Sequence, residues 1–172
     1  MMKVAYCDPP YIGQANKYPE KREVDHKELI DRMNKKYDCW ALSASSPSLQ
    51  YILSLCPADV RVGAWVKPFC IFKPNVNPAY AWEPVIFRGE RKKRSRQEPT
   101  VRDWVSANIT LKKGIVGAKP PEFCGWLFEL LGLTPEDELH DLYPGTGIVT
   151  ACWEQYKAYK LSLSHSKGGE PC

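Results

Sequence analysis

"VAYCDPPYIG", Val4 to Gly13, places an acid, two prolines and an aromatic residue directly behind a short apolar run. Lys3 to Cys7 reads as a buried strand, and consecutive prolines cannot supply ladder N–H groups, so that strand must stop at Asp8. Near the other end, "ELHDLYPGTGIVTACWEQY" (Glu138 to Tyr156) repeats the arrangement: a strand runs into a glycine turn that opens a helix. Glycines there let the backbone approach a bound group closely, and an acid at the strand end can accept hydrogen bonds from a polar ligand. Two phosphate loops are excluded. A dinucleotide fingerprint needs glycine where Thr150 stands, and a P-loop needs Lys and Ser/Thr where Ile148 and Val149 stand. Alone, the turn fits a plain helix start about as well as a ligand site.

Between these segments strands alternate with helices. "VDHKELIDRMNKKY" has Asp25 and Glu28 at capping-box spacing and Leu29, Ile30, Met33 and Tyr37 at helical spacing. "CWALSAS" (Cys39 to Ser45) is a strand. Ser46-Pro47 opens a second helix, with serine as its cap. "VRVGAWV" (Val60 to Val66) and "EPVIFRG" (Glu83 to Gly89) are further strands. "KPPEFCGWLFELLG" starts a third helix at Pro120 or Pro121 and stops it at Gly132. This order predicts an α/β fold, a mainly parallel sheet with helices on both faces.

The 172 residues suit one domain. No apolar run approaches the roughly 20 residues of a membrane span, and the apolar part of the N-terminus is too short for a signal peptide. The expectation is a cytoplasmic protein with no membrane partner. Seven cysteines without a CxxC, and three histidines without ligand spacing, point to free thiols and no metal site. The net charge of +4 comes from one segment, "RGERKKRSRQ". Without its six Lys/Arg and its one Glu, the chain is slightly acidic. Such a run is often a solvated loop, but here Trp82, Phe87 and Trp104 flank it, and Arg88, Arg91, Lys92, Lys93, Arg94 and Arg96, with Lys67, are candidate nucleic-acid contacts.

Taken together, the Asp8-Pro9-Pro10-Tyr11 tetrad, the Lys119-Pro120 helix start and the Asp141-x-Tyr143-x-Gly145-x-Gly147 turn resemble the amino-methyltransferases of DNA. "GAWVKP" and "YAWEPVIF" are further matches. That family methylates the exocyclic amine of adenine or cytosine from S-adenosylmethionine (SAM). With the tetrad first and the cofactor loop last, the chain resembles its circularly permuted subgroup, and most closely small bacteriophage-encoded enzymes. The resemblance spans roughly Lys3 to Tyr156 and implies a Rossmann-like methyltransferase fold with a shortened C-terminal half. It divides one domain into a catalytic half (3–67), a target-recognition insertion with an edge strand (68–118), a SAM-binding half (119–160) and a tail (161–172).

By that resemblance, Asp8 and Pro9 accept the two N–H bonds of the target amine, Pro10 stiffens the loop, and Tyr11 stacks on a base flipped out of double-stranded DNA. Lys119, Pro120, Asp141, Tyr143, Pro144, Gly145, Thr146 and Gly147 form the SAM site; for Lys119 a solvated helix-start lysine is the competing reading. The family also has a later strand ending in an acid that holds the cofactor ribose. "YKLSLSHS" (Tyr159 to Ser166) is the expected strand, with Ser164 and His165 where the acid belongs. Adenine-N6 in DNA is the leading target. RNA adenine, cytosine-N4 and a degenerate nucleic-acid-binding module are the alternatives, and a homodimer is the candidate assembly.

Overall fold

A computed structural model describes residues 1–18, 21–69, 72, 74–91, 100–110 and 118–167. Among them the chain runs β1 (Lys3–Cys7), α1 (His26–Lys36), β2 (Cys39–Ser43), α2 (Leu49–Leu55), β3 (Arg61–Val66), β4 (Trp82–Arg88), β5 (Trp104–Ser106), α3 (Pro121–Leu131), β6 (Glu138–Asp141) and α4 (Ile148–Lys167). The strands form one sheet in the order β5-β3-β4-β2-β1-β6. β1 lies parallel to both β2 and β6, whereas β4 is antiparallel to its neighbours β2 and β3.

Period-two alternation decides the layers. From the central strands Val4, Tyr6, Cys39 and Ala41 face α3 and α4, where they meet Phe123, Leu127 and Trp153. Ala5, Cys7, Trp40 and Leu42 face the other way, onto Leu29, Ile30 and Met33 of α1 and Ile52 of α2. β1 and β2 are thus buried on both faces, as strands covered by helices must be.

Local signals set most helix ends. Asp25 accepts from the Glu28 N–H at 2.9 Å and caps α1. Pro121 begins α3, and Gly132 ends it in the left-handed conformation at φ 68°. Two expectations need correction. Ser46 does not cap a helix through its side chain; Ser46–Ser48 is a 3₁₀ turn leading into α2. The segment expected to be a ribose-binding strand is the last part of α4. No Gly or Pro interrupts the chain from Ile148 to Lys167, and Leu161 and Leu163 stay largely exposed, so no sheet edge repays their alternation. Ser162 and Ser164 instead bond back to the carbonyls of Tyr159 and Leu161. No helix of the described residues is long and apolar enough to cross a membrane.

Asp137 ties three segments together. Its fully buried carboxylate accepts from Met2 N at 2.6 Å, Thr134 N at 2.9 Å and the Arg91 guanidinium at 2.7 and 3.0 Å. Burial alone would raise its pKa, but the Thr134 and Met2 N–H groups and Arg91 outweigh it and hold the carboxyl below the usual range. A depressed carboxylate stabilises the fold above its unfolded pKa and loses that contribution as pH falls through the folded value. Arg91→Met should cost on the order of 2–3 kcal/mol in urea denaturation at pH 7, because Asp137 stays buried without its cation. The gap between variant and wild type should narrow as pH drops below about 4.

Candidate active site

Strand order reverses at β1, whose neighbours β2 and β6 continue in opposite directions along the sheet. Ligands bind α/β sheets at such a point, beyond the carboxyl ends of the parallel strands. Asp8 follows β1 directly, and the Asp141-to-Gly147 turn follows β6, with Tyr6 and Asp141 in register. Two loops from opposite ends of the chain therefore share one end of the sheet.

The antiparallel strand adds what the parallel ones cannot. Because β4 runs the other way, its first residues lie where β3 ends, and Glu83 is in register with Trp65. Lys67, just past β3, pairs with Glu83 at 2.7 Å. Lys119, just before α3, reaches Asp8 Oδ2 at 2.9 Å and Glu83 Oε2 at 3.1 Å. Tyr11 donates to Glu83 Oε2 at 2.8 Å. Lys119 is 4% exposed, which excludes the solvated-lysine reading. Both ammonium groups also lie over the Trp65 ring, at 5.2 and 5.3 Å from its centroid.

Charge in this cluster is strongly coupled. Burial would raise Glu83, but Lys119 and Lys67 hold its pKa down at about 2. Burial would discharge Lys119, yet Asp8, Tyr6 and Glu83 keep it well above the ordinary lysine range. Asp8 is raised by its burial, drawn back by Lys119 and pushed up again by Glu83. Among the described residues its Oδ1 has no partner, and the Pro9 carbonyl accepts no hydrogen bond. One carboxylate oxygen is thus anchored, and two adjacent acceptors are unpaired among the described residues.

The glycine turn is open in a different sense. Gly145 and Gly147 have φ of 48° and 73°, and no atom lies within 4 Å of where a Cβ would stand on either. Asp141 accepts only the Tyr143 N–H, at 3.3 Å, among the described residues. Burial pushes its pKa up to about 6; the Tyr143 N–H opposes this, and the charge of Asp8 adds to it. A half-satisfied carboxylate beside an open backbone turn suits a cationic ligand. Next to the tetrad, a recess of about 980 Å³ is lined by Ile12, Gly13, Asp25, His26, Ser45 and Tyr51, among others.

The remaining candidates are placed unevenly. Pro120 is the N-cap of α3, and Tyr143, Pro144 and Thr146 lie within the glycine turn. Arg88 pairs with Asp59 at 2.7 Å, and Arg91 with Asp137. Lys92, Lys93, Arg94 and Arg96 lie outside the described residues. Glu83 was not among the sequence candidates. Its signal was a lone carboxylate in the apolar strand "WEPVIF".

No protein-family model matches the chain, and no curated protein does. Solved structures do. One described as the M1.HpyAVI–SAM complex superposes with a TM-score of 0.62 at 16% identity, covering 91% of this chain and 78% of that one. Another, described as M1.HpyAVI, gives 0.60 at 16% identity, covering 91% and 77%. The fold is that of the Rossmann-like methyltransferases.

Positive φ, not space, makes the turn glycines necessary. Gly147→Ala should lower stability by about 1–2 kcal/mol although nothing obstructs the added methyl. Gly125→Ala, equally unobstructed but inside α3, should raise it by about 0.5–1 kcal/mol. Thermal denaturation of the two variants should give Tm shifts of opposite sign.

Proposed function

We propose that this protein is a SAM-dependent methyltransferase acting on the N6 amine of adenine in DNA. The observation that carries the reading is Asp8: anchored at Oδ2 by Lys119 and, among the described residues, unpaired at Oδ1 and next to the unpaired Pro9 carbonyl. The solved structure with the same fold that was described as holding SAM supports the cofactor, as does the fit of the glycine turn. Gly145 and Gly147 would leave room for the methionine end, and the Asp141 oxygen that accepts no hydrogen bond among the described residues would be available to its ammonium.

SAM, when bound, supplies an electrophilic sulfonium methyl group. The chain's task is to make an aromatic amine nucleophilic. Its lone pair is delocalised into the purine ring, and acceptors on both N–H bonds draw the nitrogen toward sp³ geometry. Asp8 Oδ1 and the Pro9 carbonyl are those acceptors, and Tyr11, held by Glu83, offers its ring to the base. Once methylated, the amine nitrogen would carry one proton too many. Asp8 Oδ1 takes it, consistent with a carboxyl whose pKa burial has raised. The recess beside Ile12 and Tyr51 is of a size to receive a flipped nucleotide. Lys92, Lys93, Arg94 and Arg96 supply phosphate contacts, since Arg88 and Arg91 are paired within the fold.

The test is methyl transfer from labelled SAM to DNA and to RNA, followed by nuclease digestion and mass spectrometry of the nucleosides. N6-methyldeoxyadenosine is expected, and Asp8→Ala should abolish it while leaving the circular dichroism spectrum unchanged. N4-methyldeoxycytidine, or a methylated RNA nucleoside, would reassign the substrate. SAM binding without transfer to any nucleic acid would make the protein a binding module.

The raised pKa of Asp141 gives SAM binding a pH dependence. Below about 6 the carboxyl is neutral and a cation must displace its proton; above about 6 it is already charged. Affinity measured by calorimetry should therefore rise about tenfold from pH 5 to pH 7, with proton release at the acid end. In Asp141→Asn the dependence should flatten.

A further inference from the structure

Asp8 stands in more charge than the acceptor role requires. A single Lys119–Asp8 pair would neutralise the carboxylate, yet the site also encloses Glu83 and Lys67, 18% and 10% exposed at their side chains. Burying a second ion pair costs several kcal/mol of desolvation per ion, and its mutual attraction repays this only when the geometry is good. Here the extra pair is not set apart from the first. Glu83 Oε2 lies 3.1 Å from the same Nζ that Asp8 holds and accepts the Tyr11 hydroxyl at 2.8 Å. One β4 residue therefore touches the partner of Asp8 at one end of the tetrad and Tyr11 itself at the other.

We propose that Glu83 is a positioning residue, which divides the Lys119 ammonium with Asp8 so that Oδ1 stays a strong acceptor, and which fixes the Tyr11 ring through its hydroxyl. Without Glu83, the ammonium would belong to Asp8 alone and the remaining Asp8, Lys119 and Lys67 would carry a net positive charge, weakening the carboxylate toward an N–H donor. Lys67 balances Glu83 and limits how far Glu83 draws Lys119 away. The inference rests on the methyl-transfer reading only for what the donor is.

Asp8 is faced by Lys119 from the start of α3, Glu83 from β4 and Lys67 from the end of β3. Tyr6 and Cys7 of β1, Tyr11 and Tyr18 of the following loop, and Asp141 of β6 are the other titratable groups around it. Within this set Glu83 pushes the Asp8 pKa up, and Lys67 pulls it down. Removing the two should thus move Asp8 in opposite directions, which a general loosening of the fold would not do.

The experiment is a carboxyl ¹³C NMR titration of the aspartate-labelled full chain, with the Asp8 signal assigned from Asp8→Asn. In Glu83→Gln the Asp8 midpoint should fall by about half a pH unit or more, and in Lys67→Gln it should rise. Steady-state methylation by Glu83→Gln should show kcat down about tenfold or more with the KM for SAM within about twofold. If Glu83→Gln does not fold, Glu83→Asp, which keeps the charge but withdraws it from Lys119, should lower the midpoint by less. An Asp8 midpoint that is unmoved, or that moves the same way in the Glu83 and Lys67 variants, overturns the proposal. Absence of methyl transfer by the wild type would overturn the functional reading instead, and the titration would still decide the role of Glu83.

Discussion

A lysine ammonium buried between two carboxylates is the constraint on which the site depends. Lys119 is inside the protein, so its charge survives only because Asp8 and Glu83 lie within 3.1 Å of it. The dependence is mutual: without the cation Asp8 would lose the ion pair that anchors it and Glu83 would keep only Lys67, so truncating one member of the group weakens the others. The elements that carry these residues are consequently fixed relative to one another. β1 delivers Asp8, the start of α3 delivers Lys119, and β4 must run antiparallel for Glu83 to be present at all.

That antiparallel strand marks how far the sequence could be read. Elements whose ends are set by local chemistry were legible: Asp25 caps α1, Pro121 opens α3, Gly132 closes it, and the double proline stops β1. Direction within the sheet is not a local property. "EPVIFRG" is as apolar in one direction as in the other, and the pairing of β4 with both β2 and β3 depends on residues 16 to 48 positions away along the chain. The end of α4 failed for a related reason. "LSLS" alternates as a strand does, but alternation stabilises a strand only when one face has something to cover, and here the leucines remain exposed.

Within the site, residue identities were more legible than their roles. Asp8 and the glycine turn announce themselves because strand-end acids and positive-φ glycines are written into consecutive letters. Lys67 and Lys119 stood out as candidates for ligands, yet both turn inward to carboxylates, and such pairing exists only in three dimensions. The basic segment shows the same limit. Its summed charge is visible from composition, but Asp59 and Asp137, which occupy Arg88 and Arg91, come from the β3 approach and the β6 approach. Charge counted along a sequence overstates what is free to meet a ligand.

The two halves of the site differ in how they are satisfied, and on the proposed reading the difference has a use. Around the tetrad, Lys119, Glu83, Lys67 and Tyr11 are bonded to one another, so the acceptors meant for the amine are held before substrate arrives and need little reorganisation. At the glycine turn the opposite holds. Asp141 is half-satisfied, its pKa is pushed up to about 6, and the backbone beside it is uncovered. A cation entering there relieves an electrostatic cost that the ligand-free protein carries, whereas one entering at Asp8 would compete with Lys119. The arrangement therefore directs a positively charged cofactor to the β6 side and reserves Asp8 Oδ1 for a neutral N–H donor, which separates methyl donor from acceptor by charge alone.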